Sequence, residues 1–144
     1  MSQFSLFDSD FSRISGLMPA VRAAMRRTAG NPDGEGRKAL VDKINAIARN
    51  AEVRLTGGRA ESISKDALDK WLSPSDVNHP PSILALVCFC RATGDYEALR
   101  IIIQAADVGL DIMTPEDRKF RDIGKADVEM KAARKRKRLL EERL

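Results

Sequence analysis

A chain of 144 residues with 43% hydrophobic content holds one modest core, and with only 5% aromatic residues that core is built from Leu, Ile, Val, Ala and Met, which suits packed helices better than a β-sandwich. The formal net charge of +4 is unevenly spread: basic residues lead by four over 1–60, acidic residues by four over 61–120, and basic residues again by four over 121–144. No apolar run approaches the roughly 20 residues of a membrane span, and the N-terminus lacks the basic and apolar regions of a signal peptide, so a cytoplasmic protein is expected.

Residues 1–15 read as a flexible lead in which Phe4, Leu6, Phe7 and Phe11 are available to dock on the body or on another subunit. A first helix is predicted from Met18 to Ala29, with Pro19 in its first turn, an apolar stripe of Val21, Ala24, Met25 and Thr28, and Arg22, Arg26 and Arg27 elsewhere on the surface. Gly30-Asn31-Pro32-Asp33-Gly34 ends it. The second helix runs from Glu35 to Asn50, with Leu40, Val41, Ile44, Ile47 and Ala48 at helical period and Arg37, Lys38, Lys43 and Arg49 on its exposed face. Glu52 to Ser62 is a loop around Gly57-Gly58, flanked by Arg54 and Arg59, with Glu52–Leu55 a candidate short extended piece.

A third, short helix follows the N-cap Ser64, with Ile63 as a staple ahead of it. Ala67, Leu68, Trp71 and Leu72 share its apolar face, and Lys65, Asp66, Asp69 and Lys70 its polar one. Pro80-Pro81 closes the turn, and Ser82 starts a fourth helix that is apolar nearly all round and therefore central and buried. Gly94 ends it, and Asp95 caps a fifth helix reaching Ala106. Gly109 and Thr114-Pro115 divide this body, residues 16–110, from a tail, 111–144, which opens on an N-cap, a first-turn proline and two acids and becomes a basic helix.

From Ile63 to Gly109, a polar-faced short helix, a proline-containing turn and an apolar support helix resemble the phage lambda repressor-like helix-turn-helix superfamily. More narrowly, Leu68-Asp69-Lys70-Trp71-Leu72-Ser73-Pro74 with His79-Pro80-Pro81-Ser82 and the helix to Asp95 resembles the phage regulatory protein CII family. The resemblance covers about a third of the chain with useful specificity. It implies an all-α, lambda repressor-like helix-turn-helix bundle with a basic C-terminal helical tail, acting on double-stranded promoter DNA as a homo-oligomer. One departure is plain: a tight turn normally joins the supporting and recognition helices, whereas here Asn50 and Ser64 are separated by a long loop. That loop is either a small wing that touches DNA or the mark of a scaffold that has lost DNA binding.

In a DNA-reading third helix, the N-terminal residues approach bases and phosphates. Ser64 offers a hydroxyl or backbone N–H to phosphate, Lys65 reaches phosphate or guanine, and Lys70 neutralises a flanking phosphate. Asp66 and Asp69 repel phosphate. Either one accepts from a cytosine amino group or, more simply, pairs with a neighbouring lysine. Arg54 and Arg59 suit backbone or minor-groove contact, or belong to an ordinary mobile loop. Arg134, Lys135, Arg136, Lys137 and Arg138 form the densest positive run, suited to phosphates or to a solvated terminal helix. Leu139, Leu140 and Leu144 offer apolar groups to a second copy, over too few residues to define a coiled coil.

Nothing points to catalysis: P-loop, dinucleotide-loop, HExxH and GxSxG patterns are all missing, and no cofactor or small-molecule substrate is indicated. Trp71 is a core anchor and His79 a turn residue, and a lone histidine builds no metal centre. Cys88 and Cys90, two apart on a helix, point away from each other and read as buried free thiols. The alternative to a transcriptional regulator is a small helical adaptor that binds another protein through its acidic middle and amphipathic N-terminal lead, with the basic tail as a solubilising arm.

Overall fold

The computed structural model describes residues 14–32, 34–57 and 60–144, and among them all regular structure is helical. The body consists of α1 (Leu17–Ala29), α2 (Glu35–Asn50), α3 (Lys65–Leu72), α4 (Ile83–Thr93) and α5 (Glu97–Ala106). It ends at Asp111, and a separate compact unit, Ile112–Leu144, carries α6 (Pro115–Glu141). Residues 1–13 of the expected flexible lead, with Phe4, Leu6, Phe7 and Phe11, lie outside the described residues, and Ile14 and Ser15 are helical.

Local chemistry accounts for the boundaries. Ser64 Oγ accepts the Ala67 N–H at 3.2 Å and Ser82 Oγ accepts the Ala85 N–H at 3.1 Å, each satisfying an amide of the first helical turn that has no helical partner. α2 ends in a turn closed by Glu52 N–H to Arg49 O and Val53 N–H to Ala48 O, with Glu52 left-handed at φ 57°. This reversal replaces the extended piece expected at Glu52–Leu55. α4 stops where Gly94 turns left-handed at φ 72° and returns its N–H to Cys90 O at 2.8 Å. α5 starts one residue later than expected, with Tyr96 as N-cap, yet Asp95 still serves its first turn: Oδ1 accepts the Glu97 N–H at 3.0 Å while Oδ2 accepts from Thr28 on α1. α6 opens on a reciprocal capping box between Thr114 and Asp117.

One core runs through the body. α1 packs on α5, α2 on α4, α4 on α5, and α3 sits against α1 and α2. Val21, Met25, Ile44, Leu68, Leu72, Phe89 and Cys90 are its largest fully enclosed side chains. Three expectations are corrected here. Arg22 and Arg37, expected on the surface, are 3% and 5% exposed. Both lie on the buried stripes of their helices, Arg22 three residues before Met25 and Arg37 three before Leu40. α4 is central but not buried all round: Ile83 is 81% exposed, and Leu84 and Val87 are exposed beside it on the side turned from its neighbours.

Candidate nucleic-acid interface

α3 meets the core through Leu68, Trp71 and Leu72, and Trp71 is 7% exposed. Polar groups fix it at both ends. At its start, the Asn45 side chain on α2 grips the backbone of Ile63, Oδ1 accepting its N–H at 2.9 Å and Nδ2 donating to its carbonyl at 3.0 Å. At its end, the Arg26 guanidinium donates to Leu72 O at 2.7 Å, and Arg22 donates to Ser73 O and Asp76 O. The Leu72 and Ser73 carbonyls lie where a helix has no partners of its own and where its dipole is negative, so cations from α1 are well placed, and Asp76 O belongs to the turn that follows. Midway, Arg37 of α2 forms a 2.7 Å ion pair with Asp69, whose other oxygen takes a 2.9 Å bond from Lys65 one turn earlier.

The polar flank of α3 is therefore partly committed. Burial alone would raise the Asp69 pKa, but hydrogen bonds and charge from Lys65 and Arg37 outweigh it and hold the carboxyl below its ordinary value of 3.8. Ser64 spends its hydroxyl oxygen on the cap, with its side chain still at the surface. Lys65 is half-buried on Asp69, whereas Asp66 and Lys70 are exposed. Next to them, the Asp76 carboxyl accepts from His79 at 2.8 Å and is held low by that bond, with further help from the positive charge of Lys70. The open strip of α3 thus pairs one free-standing cation with acids on either side.

Lys70 and Ser64 line one hollow together with Leu55, Gly57, Asn78 and His79, so the start of the long loop and the turn after α3 flank the helix from two sides. Arg54 is exposed on that loop but does not line this hollow, and Arg59 lies outside the described residues. Arg134, Lys135, Arg136, Lys137 and Arg138 are all exposed on α6, in the separate C-terminal unit. Within the candidate set, Lys65, Asp69 and Lys70 share one short helix capped by Ser64, and Arg54 and the basic run 134–138 belong to other elements. Sequence reading missed the roles of Arg22, Arg26, Arg37 and Asn45, which determine how α3 stands, Arg37 through the candidate residue Asp69 itself.

Burial pushes the thiols of Cys88 and Cys90 up, so neither is a ready nucleophile. Among the described residues, no group of three His, Cys, Asp or Glu side chains is placed to hold a metal ion, and no helix is long and apolar enough to cross a membrane. Comparison with protein-family models, curated proteins and solved structures gives no match.

Proposed function

We propose that this chain binds double-stranded DNA through α3, as a prophage-type transcriptional regulator with a lambda repressor-like helix-turn-helix, acting as a binding protein and not as an enzyme. The observation that carries this reading is the mounting of α3. It is a helix of eight residues, held by Leu68, Trp71 and Leu72 on one side, by guanidinium groups at its end and by an asparagine at its start, with Lys70 and the Ser64 cap open to solvent. Such a helix, rigid on its support and polar outward, is what major-groove reading requires. Lys70 is the first choice for phosphate, Lys65 can reach it by leaving Asp69, and Arg54, Arg59 and the basic run 134–138 add sequence-independent attraction.

The test is selection of duplexes from a random-sequence pool, followed by fluorescence anisotropy on the enriched duplex. Lys65→Ala with Lys70→Ala is expected to weaken binding, and affinity is expected to fall steeply as salt rises. Unchanged affinity in the double variant removes α3 from the interface. A second reading, a helical adaptor for another protein, is favoured by the exposed Ile83, Leu84 and Val87 on α4 and by the acids around Lys70. Absence of any enriched duplex at low salt selects it.

A further inference from the structure

The turn after α3 holds the chain's one histidine in place beside the open cation of that helix. Asp76 anchors the turn. Its backbone carbonyl accepts from Arg22, which is buried on α1. Its carboxylate accepts from the Asn78 N–H at 3.3 Å and from His79 Nδ1 at 2.8 Å. Pro80 and Pro81 follow directly and stiffen the exit. The His79 side chain is nevertheless 54% exposed, and it lines the hollow that also holds Lys70 and Ser64. An open side chain tied down in this way costs a ligand little ordering entropy.

The contact with Asp76 determines which ring nitrogen is available. The bond from His79, above all, and the charge of Lys70 hold the Asp76 carboxyl below its ordinary value, so it is ionised and only accepts. In the neutral ring, Nδ1 therefore carries the proton. Nε2 has no partner among the described residues; it is an acceptor when the ring is neutral and an N–H donor when the ring is charged. Charge balance acts in the same direction. Asp66 shares the hollow and Asp76 stands beside it, so with neutral His79 a single cation, Lys70, faces two acids. With the ring protonated, the cations match the acids. The other charges nearby are already committed: Asp69 to Lys65 and Arg37, and Arg22 to the carbonyls behind the turn. The described loop residues that line the hollow, Leu55, Thr56 and Gly57, are uncharged.

From this arrangement we infer that His79 is a phosphate-binding residue of the duplex site. Protonated from solvent, it donates Nε2–H to a backbone oxygen beside the one held by Lys70, and it returns the proton when the duplex leaves. The inference rests on the reading of α3 as the helix that meets DNA. A neutral ring turns a lone pair toward phosphate and leaves the acids in excess. Binding therefore strengthens as pH falls through the range in which histidine gains its charge, and by the same linkage binding draws in a proton.

Anisotropy of the full chain on the enriched duplex, at constant ionic strength, tests it. Wild type is expected to bind about tenfold more tightly at about pH 6 than at about pH 8, within the limit that one linked proton sets. His79→Gln is expected to lose most of that gain. Binding heats measured in two buffers of different ionisation enthalpy are expected to show proton uptake near about pH 7 in wild type and none in His79→Gln. Wild-type affinity that depends on Lys70 but stays level across this range, without proton uptake, overturns the role of His79 and leaves α3 as the DNA helix. A pH dependence undiminished in His79→Gln overturns it as well. A Lys65→Ala, Lys70→Ala double variant that binds as wild type defeats the reading of α3 and this inference with it.

Discussion

Arg37 on α2 and Asp69 on α3 lie 2.7 Å apart, and the arginine is nearly sealed from solvent while the aspartate is partly open. The Arg37 Nε has no partner, so Asp69 is the group that makes the buried charge tolerable. Asp69→Ala strands that charge and is expected to lower stability by about 1–3 kcal/mol. Arg37→Met keeps comparable bulk, removes the need for a partner and leaves Asp69 with Lys65, so its cost is expected to stay below about 1 kcal/mol. Urea unfolding followed by the fluorescence of Trp71, the sole tryptophan, measures both. The reverse ranking would show that the guanidinium contributes more by packing than its partner does by pairing.

The same pair sets part of the response to acid. The folded-state pKa of Asp69 lies below the ordinary 3.8, so protons bind the unfolded chain first as pH falls. Its stabilising contribution is complete well above 3.8 and is lost as pH drops through the lowered folded value. Asp69→Asn is expected to flatten the fall in stability over that window while leaving the profile above about pH 5 parallel to wild type. Stability measured against pH for the two proteins checks this, and identical acid slopes would exclude Asp69 as a source of acid sensitivity.

Glu52 occupies a left-handed conformation at φ 57° in the turn that ends α2. A side chain there costs roughly 1–2 kcal/mol relative to glycine. Part of the gain on substitution is offset by the greater freedom glycine has when unfolded. Glu52→Gly is therefore expected to stabilise the protein by about 0.5–1 kcal/mol, read as a shift in the urea midpoint at constant slope.

Much of the body was legible in the residues. Ser64, Ser82, Gly94 and Thr114 mark helix ends by chemistry that acts within a few residues, and each marks one in the structure. The periods of Leu40, Val41 and Ile44 and of Leu68, Trp71 and Leu72 give the buried faces. Arg22 and Arg37 were misread because charge argues for solvent, although their spacing places each on its apolar stripe. What makes them buried is long-range: carbonyls of Ser73 and Asp76, 51 and 54 residues away, and a carboxylate 32 residues away. Asn45 is similar, since no local signal in α2 announces a partner at Ile63. Of the candidate site, sequence gave the members of α3's polar face but not their mutual commitment, in which Lys65 and Arg37 share Asp69 and leave Lys70 as the exposed cation.

The arginines of α1 divide the support of α3 unequally. Arg22 is buried and spans two carbonyls beyond the helix end, whereas Arg26 is half-buried and serves one, Leu72 O. Loss of Arg22 removes the group that ties the Ser73–Asp76 turn to α1, and water must enter to satisfy what it leaves. Arg22→Met is expected to cost about 2 kcal/mol and Arg26→Ala about 1 kcal/mol, the difference following burial and bond number. Hydrogen exchange gives a sharper readout than global stability, because the Ser73 N–H bonds Lys70 O at 3.3 Å in the last turn of α3. In Arg22→Met that amide is expected to exchange faster while amides in the middle of α2 slow or quicken only with overall stability. Equal change at both places would mean that Arg22 stabilises the body as a whole and does not specifically tether the end of α3.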